Sequence, residues 1–161
     1  MNKIIIGKEK FGNYYDDFEV GSIYKHWPGK TITESDNNIF SLLTMNHHPV
    51  HLDANFCQTH QHKQVLVVGT LVLSVVVGLT VSDISGKAIA NLEYEKINHD
   101  GPVFIGDTLY AETCILDKRL SKKNPTRGII YVETMARNQR NEKILTLRRK
   151  VLVPVSNNEN K

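Results

Sequence analysis

Asn46, His47, His48 and His51 stand within six residues of one another, in the stretch Leu-Thr-Met-Asn-His-His-Pro-Val-His-Leu-Asp at residues 43–53. Imidazole is the side chain whose ordinary pKa, about 6.5, suits proton transfer near neutrality. An asparagine has no proton to take up, but its amide offers one acceptor and two donors with which to orient a water. The cluster lies between two hydrophobic blocks and is broken at Pro49. Polar groups are costly to bury unpaired, so such a cluster either faces water or surrounds a ligand.

A metal is the other chemistry these residue types allow. His48, His51, Cys57, His60 and His62 could supply zinc-type ligands. Their spacing, His-x-x-His followed by Cys-x-x-His-x-His, matches no structural zinc pattern, and no metal site is expected.

The elements that must position the cluster can be read on either side of it. Residues 22–31 suit a strand, with Ile23, Tyr24 and Trp27 apolar and Pro28-Gly29 interrupting it near its end. Thr33-Glu-Ser-Asp36 offers N-caps and acidic residues for the positive end of a helix dipole, and Ile39, Phe40, Leu42 and Leu43 supply an apolar face. That helix delivers the chain into the polar loop. Asp53 opens a short second helix or turn to about residue 61, as its N-cap or as the acceptor that fixes the His51 tautomer.

Residues 65–82 are the longest uncharged stretch, rich in Val and Leu. Gly69, Thr70, Ser74, Gly78 and Thr80 dilute it, no aromatic belt flanks it, and Lys63 is its one close basic anchor. It is read as a buried central helix from about Gly69 onward rather than a membrane span. Beyond Ser85-Gly86 the pattern changes to strands: 87–97, 103–105 leading through Gly106-Asp107 into 108–116, then 128–135 and 144–153. Polar connections are read at 118–125 and 138–143, and no linker or internal repeat divides the chain.

Bulk properties set the remaining bounds. A chain of 161 residues with 40% hydrophobic and 23% charged residues fits one globular domain over residues 1–161, its core at about 18–153. Cys57 and Cys114 cannot build a disulfide framework, residues 1–10 lack the apolar core of a signal peptide, and a cytoplasmic location is expected. The net charge of +3 is unevenly spread, with eleven Lys or Arg against three acidic residues over 117–150. That run could meet a polyanion, for instance the phosphates of coenzyme A, or form a solvated strand surface. No aromatic stacking platform accompanies it, so nucleic acid is not an expected partner.

The polar loop resembles the Gly-Asp-x-Asn-Pro-aliphatic-His pattern of MaoC-like, (R)-specific enoyl-CoA hydratases. Pro49, Val50 and His51 match it, while Met45, Asn46 and His48 stand where Gly, Asp and Asn are usual. Thr31-Ile-Thr-Glu-Ser-Asp36, Pro102-Val-Phe-Ile-Gly-Asp-Thr-Leu109, Gly128-Ile-Ile-Tyr-Val-Glu-Thr134 and the ending over 138–153 also look like MaoC-type segments. The resemblance therefore covers about residues 18–153. Thr-Met-Asn in the loop is similar to the subgroup named as mesaconyl-CoA hydratases.

The resemblance implies an α+β hotdog fold, an antiparallel sheet wrapped around a long buried helix. It also implies reversible hydration of 2-enoyl-CoA to (R)-3-hydroxyacyl-CoA, with His51 in proton transfer and Asn46 in place of the family's Asp. Either Asn46 positions water for His51, or hydration is lost and the pocket hydrolyses or merely binds an acyl-CoA or acyl-carrier thioester. Asp36 and Asp53 are candidate substitute carboxylates, and His47 and His48 are read as loop or surface residues. Val68-Gly69 stands where the family has His-Gly opening the central helix, and Val68, Gly69 and Thr70 are the expected substrate-binding residues. The Gly69 N–H would be an oxyanion donor, or the glycine would only permit a tight turn. No cofactor is expected beyond the coenzyme A carried by the substrate. A homodimer is expected, because a lone hotdog sheet leaves its edge strands open.

Overall fold

The computed structural model describes residues 7–156. Two short strands, β1 (Ile23–Lys25) and β2 (Lys30–Thr31), replace the single strand expected there, because Trp27-Pro28-Gly29 carries the chain out of the ladder between them. Three helices follow, α1 (Glu34–Thr44), α2 (Pro49–Leu52) and α3 (Ala54–Thr59), and then α4 (Gly69–Leu79), which ends in a π-helical turn over Val81–Ser85. Four long strands complete the domain: β3 (Ala90–His99), β4 (Thr108–Leu120), β5 (Arg127–Asn138) and β6 (Lys143–Pro154). Residues 103–105 form no strand of their own, and β4 runs further than expected, shortening the polar connection before β5.

The sheet is antiparallel in the order β1-β4-β5-β6-β3, with β2 also paired to β4. On β5 and β6 every second side chain is buried, the period-2 signature of a sheet with one face inward. The inward residues Leu109, Ala111, Ala136, Leu145 and Leu147 pack with Val68, Leu71, Val72 and Val76 of the α4 segment. A sheet curled around one central helix is the α+β hotdog arrangement expected from sequence. A second apolar cluster, Phe18, Ile84, Ile115, Ile130, Val132, Val151 and Val153, fills the other end.

Two expectations need correction. The central helix is not buried all round, since Thr70, Ser74 and Gly78, one turn apart, face outward. And α1 does not turn its apolar residues inward. Ile39, Leu42 and Leu43 are exposed, Leu43 to 79%, and only Phe40 packs against the core. The buried residues of α1 are Asn37 and Ser41, four apart on the other face.

The reason lies in what Asn37 meets. Its amide, 0% exposed, donates through Nδ2 to the His51 carbonyl at 2.8 Å and accepts the Val68 N–H through Oδ1 at 3.0 Å. Val68 precedes α4 and has no cap from its own side chain, so Asn37 satisfies an N–H the helix start would otherwise leave unpaired. The helix that carries Asn37 is held by a capping box. Thr33 Oγ1 accepts the Asp36 N–H at 3.2 Å, and Asp36 accepts the Thr33 N–H and the Lys30 ammonium at 2.8 Å each.

Asn37→Leu should remove both bonds and orphan two buried backbone groups, at about 1–3 kcal/mol each. Urea denaturation should therefore show a loss of at least about 2 kcal/mol. A midpoint equal to wild type would show that the amide does not hold the loop to the helix.

Candidate active site

His51 belongs to α2, a single turn whose start is pre-set by Pro49 and capped by the His48 ring, which accepts the Val50 N–H at 3.2 Å. Its Nδ1 lies 2.7 Å from the Leu66 carbonyl oxygen. A carbonyl only accepts, so Nδ1 carries the proton, and in the neutral ring Nε2 keeps the lone pair. The same segment is bonded a second time, with the Leu66 N–H donating to the Val50 carbonyl at 3.0 Å. Together with the Asn37 bridge, these contacts fasten the His51 turn to the three residues that lead into α4.

Beside them opens a cavity of about 330 Å³, lined by His51, His62, Leu66, Val67, Gly69, Val72, His99, Gly101, Pro102 and Val103. Three imidazoles are the polar side chains of this lining, and no carboxylate, Lys or Arg side chain joins them. The Gly69 and Thr70 N–H groups, at the start of α4, have no acceptor among the described residues. A Cβ on Gly69 would stand 3.0 Å from His99 Cε1, so a side chain there would press on that ring.

His51 and Gly69 are thus brought to one cavity. The remaining sequence candidates are not. Val68 is buried beside the cavity, but its N–H is committed to Asn37. Thr70 is exposed and outside the lining. Asn46 is half-buried after a left-handed Met45 (φ 58°), holds the Ser41 carbonyl through its backbone N–H at 3.0 Å, and does not line the cavity. The left-handed conformation explains why a glycine suits position 45 in the family pattern.

Neither substitute carboxylate reaches the cavity. Asp53 caps α3 by accepting the Phe56 N–H at 2.8 Å, while His51 turns to Leu66 instead. Hydrogen bonds from Lys30 and from Thr33 hold the Asp36 carboxyl down at about 2, in keeping with its capping role.

The residues weighed as metal ligands form a row of rings instead. His51, His48, Phe56, His60, His62 and Phe104 follow one another with centroids 5.5–6.5 Å apart. Cys57 is buried, with Sγ 3.3 Å from the Val50 carbonyl oxygen. No group of three His, Cys, Asp or Glu able to hold a metal ion occurs among the described residues.

The basic run is also dispersed. Arg148 and Lys150 are paired with carboxylates on the sheet, Arg140 with Asp107 and Glu142 beside strand ends, and Arg149 is buried. Lys122 and Lys123 lie in the turn beside Gly128 and Val153, at the end of the sheet away from His99 and Leu145.

His99 and Asn37 are the site residues that the sequence reading passed over. His99 precedes the Asp100-Gly-Pro102 break, so its place at a strand end was visible but its neighbour across the fold was not. Asn37 lies within a helix whose packing face the sequence assigns by its apolar residues.

No helix among the described residues is long and apolar enough to cross a membrane. Comparison with known proteins gives the family. The chain matches the MaoC like domain over residues 17–137. It is 33% identical over 142 residues to a β-methylmalyl-CoA dehydratase of Chloroflexus aurantiacus, covering 88% of this chain and 40% of that protein. It is 29% identical over 146 residues to a mesaconyl-CoA hydratase of Cereibacter sphaeroides, covering 91% and 42%. The chain thus spans about two fifths of the length of these curated relatives. Among solved structures, the (R)-hydratase from A. caviae involved in PHA biosynthesis aligns with a TM-score of 0.70 at 25% identity, over 86% of this chain and 98% of that one. The matched span runs from before β1 to the end of β5 and includes the His51 turn and the start of α4, and on that match the chain belongs to the MaoC-like domain family.

Proposed function

We propose that this chain hydrates 2-enoyl-CoA thioesters reversibly, giving (R)-3-hydroxyacyl-CoA. The observation that carries the reading is the meeting of two groups at one cavity, the tautomer-fixed His51 ring and the Gly69 N–H, which has no acceptor among the described residues. Bound with its carbonyl oxygen on that N–H, an enoyl thioester is polarised, so its β carbon accepts a water oxygen. His51 Nε2 takes the water proton as the new C–O bond forms. The electron pair of the double bond moves onto the thioester, and the enolate oxygen is stabilised by the N–H at the positive end of α4. The proton on His51 is then delivered to the α carbon. One water is added, no oxidation state of the enzyme changes, and the coenzyme A of the substrate is the one carrier the chemistry calls for.

Asn46 does not line the cavity, so both proton transfers fall to His51, and Asn46 is assigned no direct contact with the substrate. The branched and dicarboxylic acyl groups named in the two curated relatives are the first substrates to try.

Hydration removes enoyl absorbance without releasing thiol, so a panel of enoyl-CoA esters followed by both signals tests the reading. His51→Ala should lower kcat about 10²–10⁴-fold, the usual worth of general acid–base catalysis. Asn46→Ala should cost less, and Asn46→Asp, nearly equal in size, should keep or raise activity. Thiol release by the wild type would make the protein a thioesterase. Tight binding with neither signal would make it an acyl-CoA-binding module.

The proposed active form is a homodimer. Strand β3 pairs with β6 on one side and is the last strand of the sheet on the other, with Leu92, Tyr94 and Ile97 exposed along it. A second copy paired there would satisfy the open backbone edge and cover that apolar surface. Sedimentation at micromolar concentration should give twice the chain mass, and a monomer would overturn the assembly.

A further inference from the structure

His99, like His62, is a titratable side chain of the cavity for which the proton-transfer scheme has no use. It ends β3, and its ring lies over the first residue of α4. The Cε1, Nε2 and Nδ1 atoms stand 3.0, 3.2 and 3.5 Å from where a Cβ on Gly69 would be. That position is two bonds from the Gly69 nitrogen. The His99 ring therefore stands beside the Gly69 N–H, on the side from which an acceptor oxygen would be shared. The ring makes no side-chain hydrogen bond among the described residues, whereas His51 is bonded to the Leu66 carbonyl and His62 to the Gln61 amide. The walls around it are largely apolar, which strengthens a hydrogen bond to developing charge.

We propose that His99 is a second oxyanion donor, sharing the thioester oxygen with the Gly69 N–H. The inference rests on the hydratase reading and adds a catalytic residue to it. As the water oxygen bonds to the β carbon and His51 takes the water proton, the double-bond electrons shift to form an enolate whose charge sits on the thioester oxygen. The N–H of the His99 ring donates to that oxygen and keeps its proton throughout. When the α carbon takes the proton back from His51, the oxygen returns to a thioester carbonyl and the bond weakens. Such a donor acts on the transition state more than on the bound substrate.

Three readouts on His99→Phe and His99→Gln test this. Phe keeps a ring over Gly69 without a donor, and Gln restores an N–H. His99→Phe should lower kcat for hydration about 10²–10³-fold, the usual loss for one oxyanion donor. Its Kd for butyryl-CoA, which has no double bond to hydrate, should stay within about twofold of wild type. Polarisation of the carbonyl should red-shift the absorption of 2,4-hexadienoyl-CoA in the first spectra after mixing with wild type, and His99→Phe should shrink that shift. His99→Gln should recover part of both the rate and the shift.

His99→Phe with wild-type kcat and an undiminished red shift overturns the role of His99 and leaves the hydratase reading standing. A loss of butyryl-CoA affinity as large as the loss of kcat also overturns it, since the ring would then serve binding alone. Wild-type protein that neither hydrates nor red-shifts the dienoyl ester overturns both.

Discussion

The carboxamide of Asn37 is the contact on which the site depends. One amide, fully buried, holds the carbonyl of His51 and the N–H of Val68, two backbone groups 17 residues apart in the chain. An intramolecular hydrogen bond contributes only about 1 kcal/mol net, but a buried group left without one costs about 1–3 kcal/mol. The asymmetry makes the arrangement specific, because other packings of α1 would leave the amide or its two partners orphaned. Since Val68 leads directly into Gly69, the same contact sets the distance between the imidazole and the helix start. Leu66 continues it, accepting from His51 Nδ1 and donating to the Val50 carbonyl.

Elsewhere the fold buries further polar groups. A seam crosses the interior between the two apolar clusters. Asp83 bonds His26 at 2.6 Å, His26 bonds Thr113 at 2.8 Å, and Thr113 bonds Thr134 at 2.8 Å. Beside it Arg149 is 0% exposed with no carboxylate partner among the described residues. Burial pushes its pKa down from the ordinary value. Its guanidinium donates to Asn91 Oδ1 at 3.0 Å and to Thr80 Oγ1 at 2.7 Å, and Thr80, at the end of α4, in turn donates to the Val77 carbonyl. Carbonyls at a helix C-terminus carry partial negative charge, which favours a cation there. The one helix thus presents its positive end to the cavity and its negative end to Arg149.

Strands β4, β5 and β6 could be read from the sequence because one face of each packs on the core, and burial at every second residue leaves a period of two. Gly69 was legible as a helix start, and Asp53 as a cap. Helix α1 was misjudged because hydrophobic period assumes that apolar residues turn inward. There the inward groups are Asn37 and Ser41, and the partners that make Asn37 acceptable lie 14 and 31 residues away. The role of His99 was hidden for the same reason, since its meaning comes from Gly69, thirty residues earlier, across the fold. Local pattern shows which residues are buried by apolar packing. It does not show which polar groups meet.

The central claim is that the thioester sits between His51 and the start of α4, and a crystal structure with butyryl-CoA bound tests it most directly. The account predicts the thioester oxygen at hydrogen-bond distance from the Gly69 nitrogen, with the β carbon on the His51 side of the 330 Å³ cavity. An acyl group seated elsewhere, such as the apolar groove between Phe11, Trp27, Val75 and Leu79, would contradict it.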